Sequence, residues 1–553
     1  MVPTRTLTRP RYPSHCVTAA HGRGGPDQPL PFSRRHITAG PRDRKPLSLR
    51  ANTLANIGGK GLSIAVSLFT SPFIVTQVGV ESFGFWAVVS AFSAYAALLN
   101  FGIGPAFMRY VAAHHALGEY DEIARKGTVS LLIAWVFALA IVALTLAGTT
   151  VLPHGWTDGW PDHWQAALVG VGVNLAGVSI ASAFQAYPAG LGRWDLQNLP
   201  TAVFQVVFAV AVVATLLSGM DLDGLGLSVA VAGIAMALTA WWTARYVWRQ
   251  PWSLRHVRRD EATELLRYGG NLQLVTLVVV VNVQADKPVL LAAGGSLRFV
   301  AYYELASRVA FQLRSLPVMA LGPLATQAAH DAAGKPIEVL RGFYERSLEV
   351  ITSIGAGPLL AVFGACYPLM LAWLGPSYTT TSAIVVILGF GYAVNLITGA
   401  GSSIARGCGR PELDRNYSLL GLAINVGRTV LFGVIWGPWG VIAATAAGLT
   451  FGSVYMLVSM DRWLGSRTFG RSSALIPALP SLAAGAATFA ATIVAMQFLP
   501  ADSRLVCVGY GAVSLAAFAA LWLAVMPDAR RKLVRRLRRQ ERVPEDAVPS
   551  WLR

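Results

Sequence analysis

The sequence predicts an all-α polytopic membrane protein of about fourteen transmembrane helices, arranged as two six-helix lobes in parallel repeat plus two extra C-terminal helices. Three observations carry this. Of the 553 residues, 54% are hydrophobic and 13% charged, and the mean hydropathy is +0.51. Apolar stretches recur at roughly 20 residues, the length that crosses a hydrocarbon core of ~30 Å. The basic residues fall almost entirely on one side of the alternation those stretches define.

Residues 1–50 are rich in Arg, Pro and His and contain no apolar core, so they do not form a signal peptide. They read as a disordered basic cytoplasmic arm, or as sequence upstream of the natural start. The predicted spans then cover 54–77, 83–108, 127–151, 164–187, 198–218 and 224–246, forming an N-lobe over 51–247. Residues 248–268 are basic with interleaved Trp and Leu, which fits a cytoplasmic amphipathic linker or a plain basic loop anchored by Trp. Spans at 269–293, 299–326, 345–372, 379–404, 413–436 and 438–460 form a C-lobe over 269–460. Two further spans, 474–499 and 505–526, occupy the segment 461–527, and 528–553 is a basic tail.

With both termini cytoplasmic, 38 of the 45 Lys and Arg residues lie on the cytoplasmic side. Only Arg298 and Arg504 fall in outer loops. A missed span would scramble this asymmetry. The net charge of +17 therefore records topology and attraction to anionic lipid, not nucleic-acid binding. The four cysteines are too dispersed for a disulfide framework or a zinc site. No hydrolase, nucleotide-binding or redox motif appears, so neither a metal nor a cofactor is expected.

The chain repeats itself at an offset of 216 residues. His114, Gly118, Glu122 and Arg125 recur as His330, Gly334, Glu338 and Arg341. Pro72, Gly79 and Phe83 recur as Pro288, Gly295 and Phe299. The offset spans six helices, an even number, so both copies share one orientation. In such transporters the substrate site commonly lies between the lobes near the midplane.

The stretches "SPFIVTQVGVESFGFW" and "NFGIGPAFMRYVA", with "QADKPVLLAAGGSLRFVAYYELASRV", resemble the first two and the seventh and eighth helices of bacterial polysaccharide-biosynthesis flippases. These belong to the multidrug/oligosaccharidyl-lipid/polysaccharide exporter superfamily. The resemblance covers roughly residues 50–460; the basic arm departs from the pattern. It implies translocation of an undecaprenyl-pyrophosphate-linked sugar unit through a cationic cavity between two lobes, in the inner membrane. Glycan polymerase or glycosyltransferases of the same pathway are then the expected partners.

Five basic residues lie inside the predicted spans and more than three residues from either end: Lys60, Lys287, Arg308, Arg314 and Arg428. An intramembrane Arg costs about 2.5–3.5 kcal/mol or more and therefore faces a cavity or a partner. Its planar fork also suits a pyrophosphate. Arg428 lies near mid-membrane, facing either the cavity or carbonyls of a neighbouring helix. Arg314 has no acidic neighbour within one turn, so it is a cationic-site residue or bonds to another helix. Glu304 and Arg308 share a face four residues apart, as an ion pair, a substrate contact or a proton-coupling site. Lys60 either lines the cavity or snorkels to the cytoplasmic surface. Asp286 and Lys287, before Pro288, form a paired, kinked helix end or a gate.

Three function classes follow. A flippase for lipid-linked polysaccharide precursors fits the basic intramembrane balance. A multidrug or metabolite exporter of the same superfamily would favour an acidic cavity for cationic substrates. A glycan polymerase or ligase needs a sizeable outer loop with basic residues, and the longest one, "TTVLPHGWTDGWPDHWQ", has none.

Overall fold

The structure is a computed structural model that describes residues 49–96, 102–151, 159–248, 259–318, 328, 336–408, 410–466, 468, 475–498 and 503–526. The basic arm, most of the linker, the C-terminal tail and His330 lie outside the described residues.

The described residues are helical. In chain order the helices are α1 (Leu49–Ala96), α2 (Ile103–Leu117), α3 (Tyr120–Val151), α4 (Trp164–Gly190), α5 (Trp194–Leu217) and α6 (Leu222–Val247). After the linker come α7 (Arg259–Gln284), α8 (Asp286–Ala292), α9 (Leu297–Val318), α10 (Ile337–Ile351) and α11 (Gly357–Leu374). The last set is α12 (Thr379–Ile397), α13 (Gly399–Gly407), α14 (Pro411–Leu464), α15 (Leu479–Phe498) and α16 (Arg504–Val525). Ten helical segments among the described residues are long and apolar enough to cross a membrane. Two of the ten, within α1 and α14, contain a non-helical glycine, Gly79 (φ 82°) and Gly437 (φ 62°). There the chain takes the left-handed backbone that glycine tolerates, and two helices meet at a kink.

The ends of the helices fall into two sets. Glu81 meets Arg298 at 3.1 Å, Phe85 meets Trp160, and Phe299 meets Trp439, so these turns share one end of the molecule. At the other end gather Tyr120, Tyr187 and Trp248 in the first half, and Arg406, Asp414, Arg410 and Trp463 in the second. This second end carries most of the described Arg residues and is called the basic end below.

Within the first half, α4 and α6 approach so closely that only glycine fits. A Cβ on Gly170 would lie 2.1 Å from the Gly226 carbonyl oxygen, and one on Gly177 2.4 Å from that of Gly233. Small residues at such crossings let apolar helices gain dispersion contact where lipid offers no hydrophobic drive. In the second half, residues Thr352–Ala356 between α10 and α11 form a π-helical turn. Its loosened carbonyl at Ser353 accepts from Ser481 Oγ (2.6 Å) and Trp522 Nε1 (3.1 Å), which seats α15 and α16 against α11. α15 and α16 also flank an open apolar groove of about 520 Å³ lined by Thr488, Thr492, Ser514 and Leu521.

The apolar core is continuous across both halves at one end and split at the other. One buried cluster unites Ile74, Phe83 and Leu225 of the first half with Leu305, Phe363 and Val441 of the second. Toward the basic end it gives way to two separate clusters. Phe107, Tyr187 and Trp248 centre one, and Tyr344, Ile404 and Met460 centre the other. The halves share one core at the end opposite the basic one and have separate clusters at the basic end, where the first turns of α7, through Leu265, join the cluster of the first half.

Residues 259–268 of the linker do not lie apart from the membrane helix that follows. They form the first turns of α7, and Glu264 there accepts from Lys126 (2.7 Å) and Tyr110 (2.8 Å) of the first half. Those two hydrogen bonds hold the Glu264 carboxyl below the usual carboxylate range.

Replacing Gly170 by Ala forces backbone against backbone, so overpacking is expected to cost about 2 kcal/mol or more. A thermal-shift assay in detergent should show Gly170→Ala melting several degrees below the native protein. Gly342→Ala, whose added Cβ meets open space, should melt unchanged or higher.

Candidate functional site

Of the charges that the sequence places in the second-half spans, Lys287, Glu304 and Arg308 gather where the two halves meet, whereas Asp286, Arg314 and Arg428 have their contacts within the second half. α9 runs alongside α1, and the polar contacts between them set the level at which the halves part. Arg308 Nη1 donates to Ser71 Oγ at 3.2 Å, from the second half to the first. Above this level α1 is buried over Thr70, Ser71, Ile74 and Val75. Below it, Leu68 is 40% and Phe69 80% exposed. α9 changes in register with it. Tyr303 to Ala306 are buried, whereas Arg308 is 31% and Phe311 39% exposed. The face of α9 that carries Arg308, Phe311, Gln312 and Ser315 continues past the junction toward the basic end.

Glu304 is the anionic centre of this junction. Its Oε2 lies 2.7 Å from Lys287 Nζ and its Oε1 2.7 Å from Arg308 Nη2. Lys287 also donates to Gln284 Oε1 at 2.8 Å. Both carboxylate oxygens are thus matched to cations, as a buried carboxylate requires. The repeat adds meaning to the geometry. Ser71 and Lys287 are mates at the offset of 216, each immediately before its proline. Arg308 bonds the first and Glu304 the second, so one ion pair on α9 ties the two equivalent positions together.

Asp286 and Lys287 do not pair with each other. Asp286 is buried in a separate direction, where its Oδ2 accepts from Tyr303 and, at 2.9 Å, from Thr445 of α14. Its Oδ1 is buried with no hydrogen-bond partner. Helical geometry at a Pro-preceding position turns adjacent side chains about 100° apart, which explains the divergence.

Arg314, without an acidic neighbour in its own helix, finds a partner on another one. Its Nη2 donates to Asn395 Oδ1 of α12 at 2.7 Å, and its guanidinium lies 5.5 Å from the Tyr392 ring centroid. Asn395 in turn donates to Tyr417 Oη at 2.6 Å. The Arg314 Nε is buried and unmatched, so the guanidinium is not fully satisfied by these neighbours. Arg428 sits 4.1 Å over the Phe451 ring, with its Nη1 buried and unmatched. Asn425, on the same face, bonds Thr429 at 3.4 Å. Lys60 lies on α1, but its side chain is outside the described residues.

The sequence pairing of Glu304 with Arg308 is present. The contributions of Ser71, Asn395 and Tyr417 were not visible in the sequence, because neutral polar residues in apolar helices carry no charge signal. Ser71 alone had a pointer, since it is the repeat mate of Lys287.

Breaking the Glu304 centre leaves Lys287 buried without its counter-charge, which typically costs about 3–5 kcal/mol. Glu304→Gln is therefore expected to lower the melting temperature in detergent strongly. The double variant Lys287→Met/Glu304→Gln should recover much of that loss. Additive losses in the double variant would contradict the pairing.

Comparisons place this architecture among known proteins. A model of the family described as polysaccharide biosynthesis protein matches residues 49–329, just over half of the chain. The uncharacterized membrane protein EpsK of Bacillus subtilis is 24% identical over 349 residues, covering 61% of this chain and 67% of EpsK. Among solved structures, the lipid II flippase MurJ in an inward closed conformation superimposes with a TM-score of 0.65 at 12% identity. It covers 86% of this chain and 99% of MurJ. An inward-facing multidrug-resistance MATE-family transporter of the MOP superfamily gives a TM-score of 0.59 at 15% identity, covering 72% and 94%. These likenesses fix the fold as that of multi-pass membrane flippases and transporters. The chain belongs to the polysaccharide biosynthesis protein family.

Proposed function

We propose that this protein is a flippase that carries an undecaprenyl-pyrophosphate-linked oligosaccharide or polysaccharide precursor across the cytoplasmic membrane. It is read as a transporter and not an enzyme. Two lobes, 51–247 and 269–460, alternate around a central cationic cavity, with fourteen passages and both termini in the cytoplasm. The observation that carries this reading is the junction at Arg308, where the halves part and a guanidinium one-third exposed stands at the head of the gap. Arg314 and Arg428 support it, because each keeps a buried nitrogen that no protein group satisfies. Lys60 completes the proposed cationic set. Glu304, Asp286 and Lys287 act as the ion-pair or coupling group.

The physics favours this substrate class. A pyrophosphate cannot cross hydrocarbon unaided, and a water-filled gap lined by fixed guanidinium groups replaces its hydration with charge-assisted hydrogen bonds. The prenyl tail remains in lipid. A cationic drug would instead require uncompensated carboxylates; Glu304 is already matched by two cations, and Asp286, held by the hydroxyls of Tyr303 and Thr445, is fully buried away from the junction. Pathway glycosyltransferases and a polymerase are the partners this reading implies.

Arg314→Ala, Arg428→Ala and Arg308→Lys, the last keeping a cation beside Glu304, are each expected to reduce glycan export at least tenfold while membrane insertion is unchanged. The lipid-linked precursor should accumulate in the same cells. Full complementation by all three variants, measured by surface glycan in a deletion strain, would remove them from the site.

A further inference from the structure

Pro72 has no backbone N–H, so the carbonyl four residues earlier, at Leu68, loses its intrahelical donor. An unmatched carbonyl in an apolar setting demands a replacement. The replacement comes from the other half of the molecule: Trp373 Nε1 of α11 donates to Leu68 O at 3.0 Å. One turn on, Ser71 Oγ accepts from Arg308 of α9. Trp373 is itself packed against the core cluster shared by the two halves.

We propose that the proline kink of α1 is one half of an interlobe latch, and that Trp373 is its other half. Pro72 creates an acceptor without an intrahelical donor, and the indole N–H supplies one across the lobe boundary. Leu68 lies at the level where α1 passes from buried to exposed, so the bond sits at the lower edge of the closed junction. Opening the end opposite the basic one must break this bond, and closing it must re-form it. Trp373 is thus a positioning residue that biases the lobes toward the state joined at that end. Its contribution is independent of the charges of Glu304 and Arg308, since neither Trp373 nor Leu68 O is ionised.

The latch rests on the two-lobe transport reading, but its test reads lobe separation in purified protein and needs no transport. A failed latch and a failed flippase reading are therefore distinguishable. Nitroxide labels at Ser218→Cys and Ser377→Cys, both exposed on turns at the end opposite the basic one, report the distance between the halves. They are placed in full-length protein with the four native cysteines replaced, reconstituted in lipid nanodiscs and read by pulsed electron–electron resonance. Trp373→Phe keeps the aromatic volume and removes the donor. It is expected to raise the ratio of long to short distances about fivefold, the effect of one ordinary hydrogen bond.

Pro72→Ala returns an N–H to Leu68 O and should raise the ratio similarly. In the Pro72→Ala background, Trp373→Phe should add little. An unchanged ratio in Trp373→Phe, or independent multiplying effects in the double variant, would overturn the latch. Should Trp373→Phe fail to insert, Pro72→Ala alters the acceptor alone, and an unchanged ratio there has the same consequence.

Discussion

The structure depends on one buried carboxylate. Glu304 lies at the boundary between two helix bundles, in a place where water cannot solvate it, and it remains tolerable only because Lys287 and Arg308 both reach it. Those partners fix α8 against α9 and aim the free edge of Arg308 at Ser71 on α1. The contact between halves is therefore polar at its lower rim and apolar above it. Such a rim can separate and re-form, because its groups exchange one set of polar partners for another. An all-apolar seam would have no equivalent way to respond to a charged ligand.

The same constraint explains why charge appears in these helices at all. Each of the four intramembrane cations whose side chains are described has an assigned neighbour: Lys287 has Glu304, Arg308 has Glu304 and Ser71, Arg314 has Asn395 and Tyr392, and Arg428 has Phe451. Neutral amides and aromatic rings stabilise a guanidinium without cancelling its charge. Arg314 and Arg428 thus have neutral neighbours, whereas Lys287 and Arg308 share the Glu304 carboxylate, Lys287 buried and Arg308 with one-third of its side chain exposed. That exposed edge and the two guanidinium groups without a counter-charge are the ones fit to meet an anion.

Much of the fold was legible in the sequence, and the reasons are physical. Span length is set by bilayer thickness and sidedness by the basic residues, so helices such as α3, α6 and α16 fall close to their expected positions. The repeat at 216 residues pairs Gly79 with Gly295, and the positive φ falls on Gly79 (82°) and on Gly294 (84°), one residue before the mate. The site was legible only where charge marked it. Glu304 with Arg308 followed from spacing along one helix, but Ser71, Asn395 and Trp373 act across helices. Their partners are fixed by how bundles pack, which no local pattern encodes. The π-helical turn at Thr352–Ala356 is similar, since its cause is the docking of α15 and α16 and not its own residues.

The central claim is that the halves are joined at the level of Ser71 and Arg308 and parted between there and the basic end. Ser315, on the α9 face two turns below Arg308, tests it most directly. A Ser315→Cys variant lacking the native cysteines is placed in vesicles of known orientation and treated with a membrane-impermeant maleimide. The account predicts rapid labelling from the face of the basic end and labelling at least tenfold slower from the opposite face. Equal labelling from both faces, or labelling only from the opposite one, would contradict it.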